Sequence, residues 1–121
     1  MTSMPKYILK MSYSSASWAR MLQLADDRVE AVTTLVEHLG GKLDAMYWEV
    51  ENASSYAITD LPDSVSAAAA MTTATKTGAF KDVYVHEVLT SDQLREMLAL
   101  ARSSDGIYRT PGTSNVERDD I

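Results

Sequence analysis

GGKLDAMYWEVENASSYAITDLPD, residues 40–63, is the stretch on which the reading of the fold turns. Two glycines close whatever helix precedes them, as a left-handed C-terminal cap does. Residues 42–50 then read as a strand, with Leu43, Ala45 and Tyr47 on one face and Asp44, Met46, Trp48 and Val50 on the other. Glu51-Asn52 is the expected turn, because Asn tolerates positive φ. Residues 53–61 form a third strand, antiparallel to the second. Pro62 stops it, and Asp63 is placed to cap a following helix.

Upstream, residues 4–13 (MPKYILKMSY) alternate with period two, which predicts a strand. Tyr7, Leu9, Met11 and Tyr13 should meet a helix layer, leaving Ile8, Lys10 and Ser12 on the opposite face. Ser17 is the expected helix N-cap. From there Trp18, Met21, Leu22, Ala25, Val29, Val32, Val36 and Leu39 follow steps of three and four, an apolar helical stripe. Asp26 and Asp27 are weak helix formers and mark a point near Ala25 where the stretch can divide into two helices.

Downstream, residues 64–77 are rich in alanine, the best helix former, and Gly78 closes them. Small side chains there let a helix axis lie close to a sheet. Residues 80–89 read as a fourth strand. Thr90 and Gln93 fit a capping box ahead of Leu94, Met97, Leu98 and Ala101 on one helical face. The order β-α-β-β-α-β plus a final helix predicts an α+β, ferredoxin-like sandwich: an antiparallel four-stranded sheet with helices on one face. The expected domain spans residues 4–103, followed by a polar tail over residues 104–121.

The composition narrows the function classes. A chain of 121 residues favours one domain and can bury roughly two thirds of its unfolded surface. It contains no cysteine, which excludes a disulfide framework, a thiolate metal site and a cysteine nucleophile, and suits the cytoplasm. The net charge is −6 and the eleven basic residues are scattered, so neither nucleic acid nor an anionic membrane is an expected partner. No apolar run reaches the ~20 residues that a bilayer crossing requires, and no signal peptide is read at the N-terminus, where Met4 is a candidate start.

Only two histidines occur, His38 and His86. His38 falls in the last turn before Gly40, where a partial positive charge suits the helix dipole. His86 lies mid-strand, on the face of Tyr84 and Val88. If that face is open, it is a weak candidate for a general base near Trp48; otherwise it is a histidine satisfied by a neighbour. Two distant histidines make no metal site, so neither a metal nor another cofactor is expected. Dinucleotide and P-loop glycine patterns are absent. The candidate ligand contacts are Lys10, Trp48, Tyr56 and His86, polar tips and an aromatic wall suited to a small apolar or aromatic ligand. Met46 and Trp48 on the uncovered sheet face would make a patch that a monomer would not leave in water, which predicts a homodimer packed sheet to sheet around a cavity.

The chain resembles the GYD domain family on several landmarks in order: MPKY at residues 4–7, LVEHLGGKLDAMYW at 35–48, DLPD at 60–63, the alanine-rich helix ending at Gly78, VLT at 88–90 and YRTPG at 108–112. The family's Gly-Glu-Tyr-Asp motif should fall on Glu51-Asn52-Ala53-Ser54, and none of its residues is kept there. The resemblance implies a ferredoxin-like fold of the dimeric α/β-barrel type and a homo-oligomer of unassigned function. Two functions follow as expectations: a small homodimeric binding or interaction protein, or an enzyme like the cofactor-independent monooxygenases of that barrel type.

Overall fold

The computed structural model describes residues 4–112. They fall into two compact units, one ending at Val88 and the other opening at Leu89. The first holds β1 (Lys6–Tyr13), α1 (Ser15–Leu24), α2 (Arg28–His38), β2 (Lys42–Glu49), β3 (Ser54–Asp60), α3 (Ser64–Thr75) and β4 (Phe80–Val88). The second holds α4 (Ser91–Ser103) and the turns after it. Residues 113–121 of the expected tail lie outside the described residues.

The four strands form one antiparallel sheet in the order β2-β3-β1-β4, as the ferredoxin-like reading requires. One face carries the core. Tyr7, Leu9, Met11 and Tyr13 of β1 are buried, as their alternation predicts. Against this row pack Val32 and Val36 of α2 and Ala67 and Ala70 of α3, with Ala57 of β3 and the fully buried Leu61 beneath. Ala67 and Ala70 of α3 are buried, and their small side chains let the helix approach the sheet closely.

The predicted helical stripe divides at the expected place. Ala25 caps α1 in the left-handed conformation, and the Asp27 side chain accepts from the Glu30 amide to start α2. The division has a consequence the stripe did not foretell. No residue of α1 is buried, and Leu22 stays 77% exposed. The N-cap of α1 is Ser14, which accepts from the Ser17 amide, so Ser17 is the recipient of the cap and not the cap itself. In the β2–β3 turn the positive φ falls on Ala53, at 47°, and not on Asn52.

One expectation is overturned. Met46 and Trp48 do not lie on the uncovered face. β2 pairs Leu43 with Thr59 but Ala45 with Ile58, so Asp44 is an extra residue opposite the same partner. A bulge of this kind shifts the side-chain phase by one residue. Downstream of it Met46 is level with Ala57 and Trp48 with Ser55, both buried on the core side. Ala45, Tyr47 and Glu49 turn to the uncovered face instead. Lys6 holds the bulge in place, bonding Asp44 and, at 2.8 Å, Asp60. Its ammonium is favoured first by the Asp44 bond and then by Asp60, and its pKa rises accordingly.

The second unit starts as the sequence indicates. Thr90 and Gln93 exchange capping-box bonds at 3.2 and 2.9 Å.

Two glycines allow a comparison. A Cβ on Gly41 would overlap the Asp60 carbonyl oxygen and sit 2.8 Å from Leu61 Cδ2, so backbone must move. At Gly78 nothing lies within 4 Å and only its φ of 75° resists a side chain. Gly41→Ala should therefore lose about 2–3 kcal/mol and Gly78→Ala about 1 kcal/mol, measured by urea unfolding. Equal losses would contradict the close approach of β2 to β3.

Asp63 gives a pH-dependent test. Its carboxylate accepts from the Ser66 amide at 2.8 Å, and bonds to the backbone and then the side chain of Ser66 lower its pKa from the ordinary 3.8. A lowered folded pKa means stability that is present above the unfolded value and lost as pH falls through the folded one. Asp63→Asn keeps a capping oxygen without the titration. The stability gap between wild type and Asp63→Asn should shrink below pH 3.8 in acid unfolding.

Candidate functional site

Register decides which sequence-predicted residues meet. Lys10 is flanked by Tyr56 on β3 and Tyr84 on β4, and Ile8 by Ile58 and His86. All six side chains occupy the face away from the helices. The Lys10 ammonium lies 5.5 Å from the centre of the Tyr56 ring, within reach of a cation–π interaction. The Tyr56 hydroxyl donates to Glu49 Oε2 at 3.2 Å. The Tyr56 oxygen is also the main reason that the Lys10 pKa rises, with Glu49 adding a smaller share. This row therefore carries a fixed cation, a phenol and a carboxylate in a line across three strands. Tyr84 and His86 stack beside it with ring centres 6.3 Å apart.

Three of the four predicted contacts, Lys10, Tyr56 and His86, thus share a face. Trp48 does not join them. It sits on edge strand β2, on the other face, while His86 sits on the opposite edge strand, three strand spacings or roughly 14 Å away. The bulge at Asp44 is the physical reason. His86 is exposed and hydrogen-bonds to no side chain among the described residues, so no carboxylate orients it as a base. His38 occupies the last turn of α2, where the helix dipole accounts for it.

A mainly apolar concavity lies on the other side of the sheet, within the first unit. It is a cleft of about 540 Å³. Met11 and Tyr13 of β1 and Phe80 of β4 form its floor, α1 brings Arg20 and Met21, α2 brings Arg28, Val32 and Leu35, and the end of α3 brings Thr73 and Ala74. α1, which ends at the Ala25 cap, lines it without burying a residue. Tyr13 is held by Trp18 and Phe80, at ring distances of 5.7 and 5.2 Å, and its hydroxyl donates to the buried Ser55 at 3.0 Å.

Arg28 is the least exposed of the three charged residues in this wall, the others being Arg20 and Asp26. Its Nη1 bonds Asp26 at 2.9 Å, while its Nε is shielded from solvent and has no hydrogen-bond partner among the described residues. Burial acts to lower its pKa, but the Asp26 bond and the nearby Tyr13 oxygen prevail and raise it, so the guanidinium stays charged. Sequence reading missed this site because it took residues 18–39 as one core-facing stripe. The available signal was the pair Arg20 and Arg28 on either side of the predicted break.

Among the described residues no group of three or more histidine, aspartate or glutamate side chains could hold a metal ion. No described helix is long and apolar enough to cross a membrane. No curated protein matches the chain significantly. The model of the GYD domain family matches residues 7–98, from the second residue of β1 well into α4. That match covers most of the sequence in one run and includes the bulged hairpin, the alanine-rich helix and the capping box, so the chain belongs to the GYD domain family.

Proposed function

We propose that this protein is a small homodimeric binding protein for a small apolar or aromatic ligand, acting in the cytoplasm. The observation that carries the binding reading is the cleft between the helices and the sheet. Its volume of about 540 Å³ falls in the range that holds drug-sized ligands, and its walls are largely apolar with a few polar groups. This reading puts the ligand behind the sheet, in the cleft. The cytoplasmic assignment is supported by the cysteine-free sequence.

The uncovered face supports the dimer. Tyr47 is 64% exposed and Tyr84 50%, and they flank Ile8, Ile58 and the Lys10–Tyr56–Glu49 row. Tyrosine gives contact area at low entropic cost and is enriched where protein surfaces meet. The monooxygenase-like alternative has less support. The cleft contains no histidine, and His86 points from the other face of the sheet.

Two measurements test these statements separately. Native mass spectrometry should give a dimer for the wild type and a shift towards monomer for Tyr84→Asp; a wild-type monomer at every concentration would remove the dimer. A neutral apolar fluorophore such as N-phenyl-1-naphthylamine should bind the wild type. Ala74→Phe, which fills the cleft, should weaken that binding at least about tenfold with little change in Tm. Binding indifferent to Ala74→Phe would remove the cleft as the site.

A further inference from the structure

The wall of the cleft carries more positive charge than it neutralises. Arg20 and Arg28 both line it, and the acid among the lining residues is Asp26. Asp26 engages Nη1 of Arg28, leaving other guanidinium donors, and Arg20 has no ion-pair partner among the described residues. This local excess stands in a chain whose net charge is −6, so it does not reflect a generally basic surface.

The Arg28 Nε sharpens the point. A guanidinium N–H withdrawn from solvent without an acceptor forfeits a hydrogen bond that water would have supplied. Such unsatisfied donors are uncommon in native proteins and mark a strained or functional position. Of the neighbouring acceptors, Asp26 holds Nη1, and the Tyr13 oxygen, whose hydroxyl donates to Ser55, also favours the charged guanidinium without meeting Nε. An incoming carboxylate could meet a guanidinium with two parallel bonds, a geometry that a lysine or a hydroxyl cannot provide. The remainder of the wall, from Met11 to Phe80, suits an apolar or aromatic body.

We infer that the ligand of this cleft is a small amphipathic carboxylate, its acid group bound by Arg28 with Arg20 adding charge, and its apolar body lying over Met11, Tyr13 and Phe80. The inference rests on the binding reading above. It adds the chemical class of the ligand and names Arg28 as the residue that selects it.

The test is calorimetric titration of the full chain at pH 7 with a matched pair, 2-naphthoate and 2-naphthamide, and with acetate alone. The carboxylate is ionised at that pH, while the amide keeps the ring and loses the charge. The wild type should bind naphthoate at least about tenfold more tightly than naphthamide, and acetate should give no measurable heat. Arg28→Gln should abolish the preference by weakening naphthoate binding to the level of naphthamide, and Arg28→Lys should restore only part of it. Arg20→Gln should reduce it less than Arg28→Gln. Far-UV circular dichroism and Tm establish that each variant is folded, and naphthamide affinity reports that the cleft is intact. Equal affinity for acid and amide would overturn the inference and leave the cleft standing as an apolar site. A preference that survives Arg28→Gln would overturn the role of Arg28. Failure of both naphthalenes to bind would remove the binding reading along with the inference.

Discussion

The constraint on which the structure depends is parity. A sheet covered by helices on one side permits each strand only one apolar phase, and hydrogen-bonded register passes that phase from strand to strand. β1 sets it, because Tyr7, Leu9, Met11 and Tyr13 are all buried. β3 receives it through Ala57 and Thr59, both fully buried. β2 would fall out of phase after Leu43 but for Asp44, whose insertion returns Met46 to the core side. The clamp of Lys6 on Asp44 and Asp60 secures this break in alternation.

Most of the fold was legible in the residues. Both ends of every strand fall within about a residue or two of where alternation, glycine and proline put them, and the caps at Asp63 and Thr90 form as read. The bulge was not legible, for a specific reason. In KLDAMYWE each alternating phase carries a large aromatic and an aliphatic residue, so hydrophobicity cannot decide which set faces inward. Only pairing with β3 settles it. The cleft escaped for a related cause: the spacing of Trp18, Met21 and Leu22 is that of a buried face, and it cannot reveal that α1 ends at Ala25 with none of its residues buried.

The polar row and the cleft occupy opposite sides of one layer. The Lys10–Tyr56–Glu49 row lies on the uncovered face and the Arg28 cleft beneath the helices, with β1 supplying Lys10 to one and Met11 and Tyr13 to the other. Adjacent residues of a single strand thus serve separate surfaces. The family match spans both, and Glu51–Ser54, the β2–β3 turn with the first residue of β3, lines neither the row nor the cleft.

The bulge has a further consequence for how copies of this chain can meet. β2 is an edge strand, and an edge with a continuous ladder of unpaired amides and carbonyls invites another strand to extend the sheet without limit. Asp44 interrupts that ladder near its start, and Lys42, Asp44 and Glu49 place charge along the same short strand. Edge-to-edge growth towards fibrous aggregates is thereby disfavoured on the β2 side, while the tyrosine-bearing face remains open to a contact that closes on itself.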